Sequence, residues 1–297
     1  MSTDSRPDAP LCLPPLPPDR ALSARLPPGT CDCHIHVFGA PEDFPLVAVR
    51  NYTPQPADLS AYGALMAKTG IDRAVLVQPS VYGTDNSALL AALASDPQRL
   101  RAVVVVPADL PQTELERLHA AGVRGIRINR RNPGGLPLSE MTRLAARIAP
   151  LGWHLQLQID IQSVDDLAGL VAACPVPVVI DHLGFVQPAR TVAAPGFQGL
   201  LRVLESGKAW VKLSAPYRLG AGAAPFPALD PFIAALVAAR PDRLVWASDW
   251  PHCELWEAMP DSVALAELAT VWLPTPALRR QVLVDNPHAL YWADGSR

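Results

Sequence analysis

The sequence predicts a single-domain α/β protein, a (β/α)8 TIM-like barrel, on three observations. Short apolar runs and amphipathic stretches alternate eight times through the chain. Many of the runs, such as A-V-V-V-V-P and V-P-V-V-I, are almost wholly apolar, as strands covered on both faces are. The 297-residue length suits one such barrel, whose usual size is about 250 residues. A doubly wound open sheet would need a glycine-rich phosphate turn after its first strand. Here that strand ends in histidines, and Gly220-Ala221-Gly222 follows no suitable strand. No G-x-S-x-G elbow or Walker loop is present either.

The elements follow in order. Residues 1–29 are dense in proline and read as an extended arm without a core of its own. The barrel domain spans 30–293. Its first strand, 30–38, holds His34 and His36 two residues apart. On a regular strand both imidazoles share one face, and Cys31, Cys33, Ile35 and Val37 share the other. The loop 39–55 is long for a βα connection and is a candidate lid. Asp58 and Gly70 bracket the first helix as N-cap and C-terminal stop. Strand–helix pairs then repeat at 72–80 and 84–96, 100–108 and 111–121, 123–129 and 137–151, and 154–160 and 163–174. They continue at 176–183 and 195–207, 209–214 and 227–240, and 243–248 and 261–272. Two further helical stretches, 275–284 and 286–292, close the chain.

Composition narrows the function. Hydrophobic residues make up 49% and charged residues 18%, which permits a large core. A net charge of -3 argues against nucleic acid as partner. No apolar run approaches the ~18 residues of a membrane span, and the N-terminus has no signal-peptide pattern, so a cytoplasmic location is expected. The sequence carries no signature of an oligomeric state. The five cysteines form no disulfide framework. A zinc cluster in C-D-C-H-I-H is opposed by strand alternation, which turns the cysteines away from the histidines and under the helices.

In such barrels active sites collect at the C-terminal strand ends. There the chain carries His34 and His36 (strand one), Gln78 and Ser80 (two), Arg127 and Asn129 (four), and Gln156, Gln158 and Asp160 (five). Strand six gives His182, strand seven Lys212 and Ser214 with Arg218 beyond, and strand eight Asp249 and His252. Taken singly, each has a bland reading: a core histidine, a solvated arginine, a helix cap. His119, His154 and His288 fit that description. The convergence at the strand ends favours a catalytic site, because buried ionisable groups are costly unless paired or functional. Three histidines and an aspartate can ligate one divalent, zinc-like ion. The same groups can also act without metal, the aspartate taking a proton from water and the imidazoles stabilising an oxyanion. Arg127 and Arg218 suit a substrate carboxylate. Hydrolysis at a carbonyl of a small acidic substrate follows.

The motifs C-D-C-H-I-H-V-F-G, G-V-R-G-I-R-I-N, V-I-D-H-L-G, W-A-S-D-W-P-H and V-D-N-P-H-A-L-Y-W resemble the amidohydrolase superfamily. More narrowly, they resemble its branch containing 2-pyrone-4,6-dicarboxylate lactonase, over residues 30–292. The resemblance implies a TIM-like barrel hydrolysing a carboxylated lactone in aromatic compound catabolism: a pyrone dicarboxylate, or a muconolactone-like or sugar-acid lactone. It implies Asp249 as the base that activates water, and His34, His36 and His182 around the lactone carbonyl. Tyr52, Ser80, Arg127 and Arg218 match positions that bind carboxylates and ring. The cofactor is none, as in the pyrone lactonase, or one divalent metal, zinc foremost, held by His34, His36, His182 and Asp249. Two departures stand out. Gln158 replaces a tyrosine, and Cys253-Glu254 replaces Pro-Asn. The second carboxylate-binding arginine is displaced, with Arg130 or Arg131 as substitute. Rival activities are a lactone isomerase, a zinc-dependent decarboxylase and a non-catalytic binding barrel. Lys212 and Ser214 stand where a decarboxylase would show a further histidine, and the intact histidine–aspartate set opposes the binding barrel.

Overall fold

The computed structural model describes residues 9–133 and 135–293. Eight parallel strands run in sequence order: β1 (Cys31–Ile35), β2 (Arg73–Val77), β3 (Leu100–Val104), β4 (Val123–Asn129), β5 (His154–Gln158), β6 (Val178–Ile180), β7 (Ala209–Leu213) and β8 (Leu244–Trp246). The ring closes beyond β8, where the Asp249 amide donates to the His34 carbonyl (3.1 Å) and the His36 amide to the Trp250 carbonyl (2.8 Å). Helices α1 (Leu59–Thr69), α2 (Ser87–Ser95), α3 (Gln112–Ala121), α4 (Met141–Ile148), α5 (Leu167–Ala172), α6 (Pro195–Glu205), α7 (Asp230–Ala239) and α8 (Ser262–Trp272) follow the strands in turn. This is the predicted (β/α)8 barrel. Among the described residues, no helix is long and apolar enough to cross a membrane.

Local chemistry sets the boundaries. The Asp58 carboxylate accepts from the Ala61 amide at the start of α1, and Gly70 ends it at φ 78° in the left-handed region that glycine adopts freely. The helix expected at 163–174 shrinks to α5. Asp160 and Asp166 accept from the amides of Gln162 and Gly169, so side chains cap short turns where a longer helix would otherwise run. The strand expected at 176–183 stops at Ile180, because the backbone turns left-handed at His182 and Leu183 (both φ 52°).

The interior falls into layers. At the N-terminal end, Cys31, Cys33, Val75, Val77, Val103, Val179, Val245 and Tyr291 form one buried cluster. Outward-facing strand residues such as Ile35, Leu76, Ile126, Leu157 and Leu213 join the larger core beneath the helices. The cysteines therefore point into the barrel, contrary to the alternation argument. The cause is a register shift in β1: Asp32 pairs with Ala74 and Ile35 with Leu76, so three steps on β1 match two on β2. Cys33 and His34 both face inward as a result. The two thiols face each other (Sγ–Sγ 3.8 Å). Neither joins a candidate metal-ligand group among the described residues.

The N-terminal arm lies along this body. Leu11 bridges to Thr53, and the Leu13 amide donates to the Leu255 carbonyl (2.9 Å). Arg20 pairs with Glu267 (2.7 Å) and Asp261 (3.2 Å). Cys12 and Leu26 are buried within the main core.

Candidate active site

Asp249, three residues past the end of β8, is the centre of the site. It is buried and held at φ 63°, a conformation costly for a non-glycine residue. Its Oδ2 accepts from the Tyr217 hydroxyl (2.6 Å) and from Arg218 Nε (2.8 Å). Its Oδ1 faces the Nε2 atoms of His34 (3.7 Å), His36 (3.9 Å) and His182 (3.7 Å). Burial pushes the carboxyl up, but Arg218 and the surrounding imidazoles outweigh it. The group stays well below the usual carboxylate range.

Each imidazole has a distinct anchor. His36 Nδ1 lies 2.7 Å from the Val77 carbonyl, which can only accept, so Nδ1 carries the proton and Nε2 of the neutral ring a lone pair. His34 Nε2 is 3.3 Å from that atom and is therefore the donor between them. Its Nδ1 then accepts from the Lys212 ammonium at 3.2 Å. His182 Nδ1 is 2.8 Å from the Ser214 hydroxyl. Burial, reinforced by Arg127, lowers His36 to about 3. Burial lowers His182 to about 4 against the opposing pull of Asp249. His34 is driven well below its ordinary value by burial and by Lys212. All three imidazoles are neutral near pH 7.

Beneath His34 lies a fully enclosed polar layer. Lys212 Nζ contacts Asp181 Oδ1 (3.2 Å) and donates to Gln156 Oε1 (2.8 Å), while Gln156 Nε2 donates to Asp181 Oδ2 (3.0 Å). Burial raises the Asp181 carboxyl, but Lys212 and His34 outweigh it and hold it well below the normal range. Asp32 braces the wall from outside. It accepts from the Tyr62 hydroxyl on α1 (2.9 Å) and from the amides of Ser248 (2.9 Å) and His34 (3.2 Å). It thereby ties the strand ends carrying His34 and Asp249 together.

A narrow cleft opens above Asp249. Of the residues expected there, Tyr52, Ser80, Arg127, Gln158, Arg218, His36, His182 and Asp249 line it, and His34 sits one layer deeper. Arg127 donates to the Gln78 carbonyl (2.9 Å) and to Gln158 Oε1. Arg131 does not line the cleft; its guanidinium lies 3.9 Å over the Phe185 ring, which meets His182 edge-on. Gln78 turns away to donate to the Gly83 and Asp85 carbonyls, and Asp160 caps the following turn.

Sequence reasoning missed Asp181, Tyr217, Asp32 and Asn132. Alternation along β6 places Val179 and Asp181 inside, and would send His182 outside. The left-handed turn at His182 brings both acid and imidazole inward. Asp181 was thus legible beside His182 in I-D-H-L-G, and Tyr217 beside Arg218 in P-Y-R. Nothing local marks Asp32 or Asn132.

The donor types suit one divalent ion: ligand atoms of His34, His36 and Asp249 lie within 4.8 Å of one another, and His182 forms a second such group with His34 and Asp181. The His36 lone pair at Nε2 needs no proton shift to serve as a ligand. His34 would have to shift its proton to Nδ1, which Asp181 Oδ1 at 3.4 Å can accept.

An Amidohydrolase family profile matches residues 31–292, and the chain belongs to that family. It is 35% identical over 281 residues to a 2-pyrone-4,6-dicarboxylate hydrolase of Comamonas testosteroni, covering 91% of this chain and 92% of that one. It is likewise 35% identical over 288 residues to a 4-sulfomuconolactone hydrolase of Rhizobium radiobacter, covering 94% and 96%. Among solved structures, a putative 2-pyrone-4,6-dicarboxylic acid hydrolase from Pseudomonas putida superposes with a TM-score of 0.80 at 33% identity, covering 90% of this chain and 98% of that one.

Proposed function

We propose that this protein opens a small anionic lactone at the Asp249 cleft by Asp-assisted addition of water. The observation that carries the reading is the division of labour on one carboxylate: Oδ2 is fixed by Tyr217 and Arg218, and Oδ1 faces three imidazoles. His182, which lines the cleft, supplies a donor to the carbonyl oxygen when the Ser214 hydroxyl donates to its Nδ1. That donor stabilises the oxyanion that forms as water adds. His34, one layer deeper, fixes the His36 ring by donating its Nε2–H to His36 Nε2. Asp249 takes the proton from that water, the ring C–O bond breaks, and the leaving oxygen takes the proton back. A bound divalent ion, held by His34, His36, His182 and Asp249, would supply a polarised carbonyl and water of pKa near ~7. Arg127, Tyr52 and Ser80 orient the substrate's carboxylate. The names of the two hydrolase relatives, both lactone hydrolases, support the same reaction class.

Asp249→Asn keeps the shape and removes the base. It should lower kcat by about 10³-fold in a ring-opening assay while calorimetry still detects carboxylate binding. Near wild-type turnover in that variant would remove Asp249 as the base.

A further inference from the structure

Glu254 sits in the cleft wall. It accepts a hydrogen bond from the Asn132 amide, and its Oε2 is 3.5 Å from Arg218 Nη1. Its backbone is held at φ 60°, in a segment where Asp249 (63°) and His252 (65°) are also left-handed. The N-terminal arm fixes it from behind: the Glu254 amide donates to Cys12 Sγ (3.3 Å), and the adjacent Leu255 carbonyl accepts from Leu13 (2.9 Å). The carboxylate is thus placed by three separate parts of the chain.

The charges lining the cleft balance. Arg127 and Arg218 are met by Asp249 and Glu254, and the neutral imidazoles add nothing. Arg218 is committed, through Nε to Asp249 (2.8 Å) and through Nη2 to the Cys253 carbonyl (2.7 Å). Arg127 uses two of its five N–H donors on Gln78 and Gln158, which leaves donors for one carboxylate beside Ser80 and Tyr52. A second carboxylate at the other end would meet the Glu254 carboxylate in a part-buried wall, where like charges are poorly screened. A hydroxyl there instead donates to Glu254 and accepts from Asn132.

We infer that this site selects a lactone with a single carboxylate and a hydroxyl at the far end, of the sugar-acid kind, and that Glu254 is the residue that rejects a dicarboxylate. The inference rests on the lactonase reading for its reaction and on the charge pattern for its selectivity, so the two can be tested apart. Binding is measured by calorimetry with two probes sharing one ring and one carboxylate: 3-hydroxybenzoate and benzene-1,3-dicarboxylate. The wild type should bind the hydroxy acid at least about ten-fold more tightly. Glu254→Gln should erase most of that ratio by tightening the dicarboxylate, and Glu254→Asp should retain the preference. Equal or tighter binding of the dicarboxylate by the wild type, or a ratio unmoved by Glu254→Gln, overturns the proposal. Turnover separates the two readings. Faster opening of 2-pyrone-4,6-dicarboxylate than of a monocarboxylated hydroxylated lactone overturns the selectivity and leaves the lactonase standing. Failure to open any lactone overturns the lactonase reading, and the binding ratio still decides the charge preference.

Discussion

Two layers of the same barrel interior carry buried ion pairs, and they are built to different ends. In the lower one, Lys212 and Asp181 are fully enclosed, and Gln156 and His34 complete their contacts. In the upper one, Arg218 and Asp249 pair at the floor of the cleft, and Arg218 reaches out to Cys253 and Glu254 on its rim. The lower pair is fully enclosed, whereas the upper pair borders the cleft that a ligand enters. The lower layer therefore helps fix the proton on His34, through Lys212 at its Nδ1, and the upper layer positions Asp249 against the cleft.

The largest effect that bears on both layers is acid unfolding. His36 and His154 are lowered to about 3, and His182 and His252 to about 4, in each case first by burial; His34 is also driven down. In the unfolded chain each imidazole titrates near 6.5. Below that pH the unfolded state binds more protons, and each group removes about 1.4 kcal/mol of stability per pH unit. Against a typical domain stability of about 5–15 kcal/mol, five such groups predict one cooperative transition near pH ~5, followed by circular dichroism. The lowered carboxyls of Asp181 and Asp249 act in the same direction but in a lower pH window. Their contribution is fully present above the unfolded carboxylate pKa and is lost only as pH falls through and below it. A transition confined to that lower range would assign acid lability to the ion pairs of the two layers and not to the imidazoles.

Lys212→Met breaks the enclosed layer alone. Asp181 would keep the Gln156 amide and Arg127 Nε at 3.7 Å, but lose its contacting ammonium. An uncompensated buried charge of this kind costs about 3–5 kcal/mol, measurable by denaturant unfolding. Adding Asp181→Leu should recover much of that loss. A single variant as stable as wild type would mean that the lower layer is no more constrained than the cleft.

How much of this could be read from the sequence depends on where the strands are regular. In β4, β5 and β7 strict alternation puts Arg127, Gln156, Gln158, Lys212 and Ser214 inside, and counting by two finds them. In β1 and β6 counting fails. The extra residue in β1 turns Cys33 and His34 the same way, and the left-handed backbone at His182 reverses its expected side. Both departures depend on neighbouring strands, so no local pattern announces them. The histidine pair does face Asp249, even though the face argument for the cysteines failed. Glu254 was visible as a chemical oddity, but its place in the cleft wall depends on Arg218, Asn132 and the arm, which only the folded chain brings together.

Arg131 provides the smallest expected effect and the finest test of where the cleft ends. The resemblance offered it as a carboxylate ligand, but its exposed guanidinium stacks on Phe185 at 3.9 Å. Phe185 in turn meets the His182 ring at a centroid distance of 5.6 Å. An exposed cation–π contact is worth about 0.5–1 kcal/mol. Arg131→Ala should therefore lower stability by no more than about 1 kcal/mol and change KM by less than about three-fold. The residual effect would come from a slightly looser Phe185 behind His182. A ten-fold or greater rise in KM with unchanged stability would instead place Arg131 on the substrate. It would then supply the cationic charge that balances Glu254 and would reopen the cleft to a dicarboxylate.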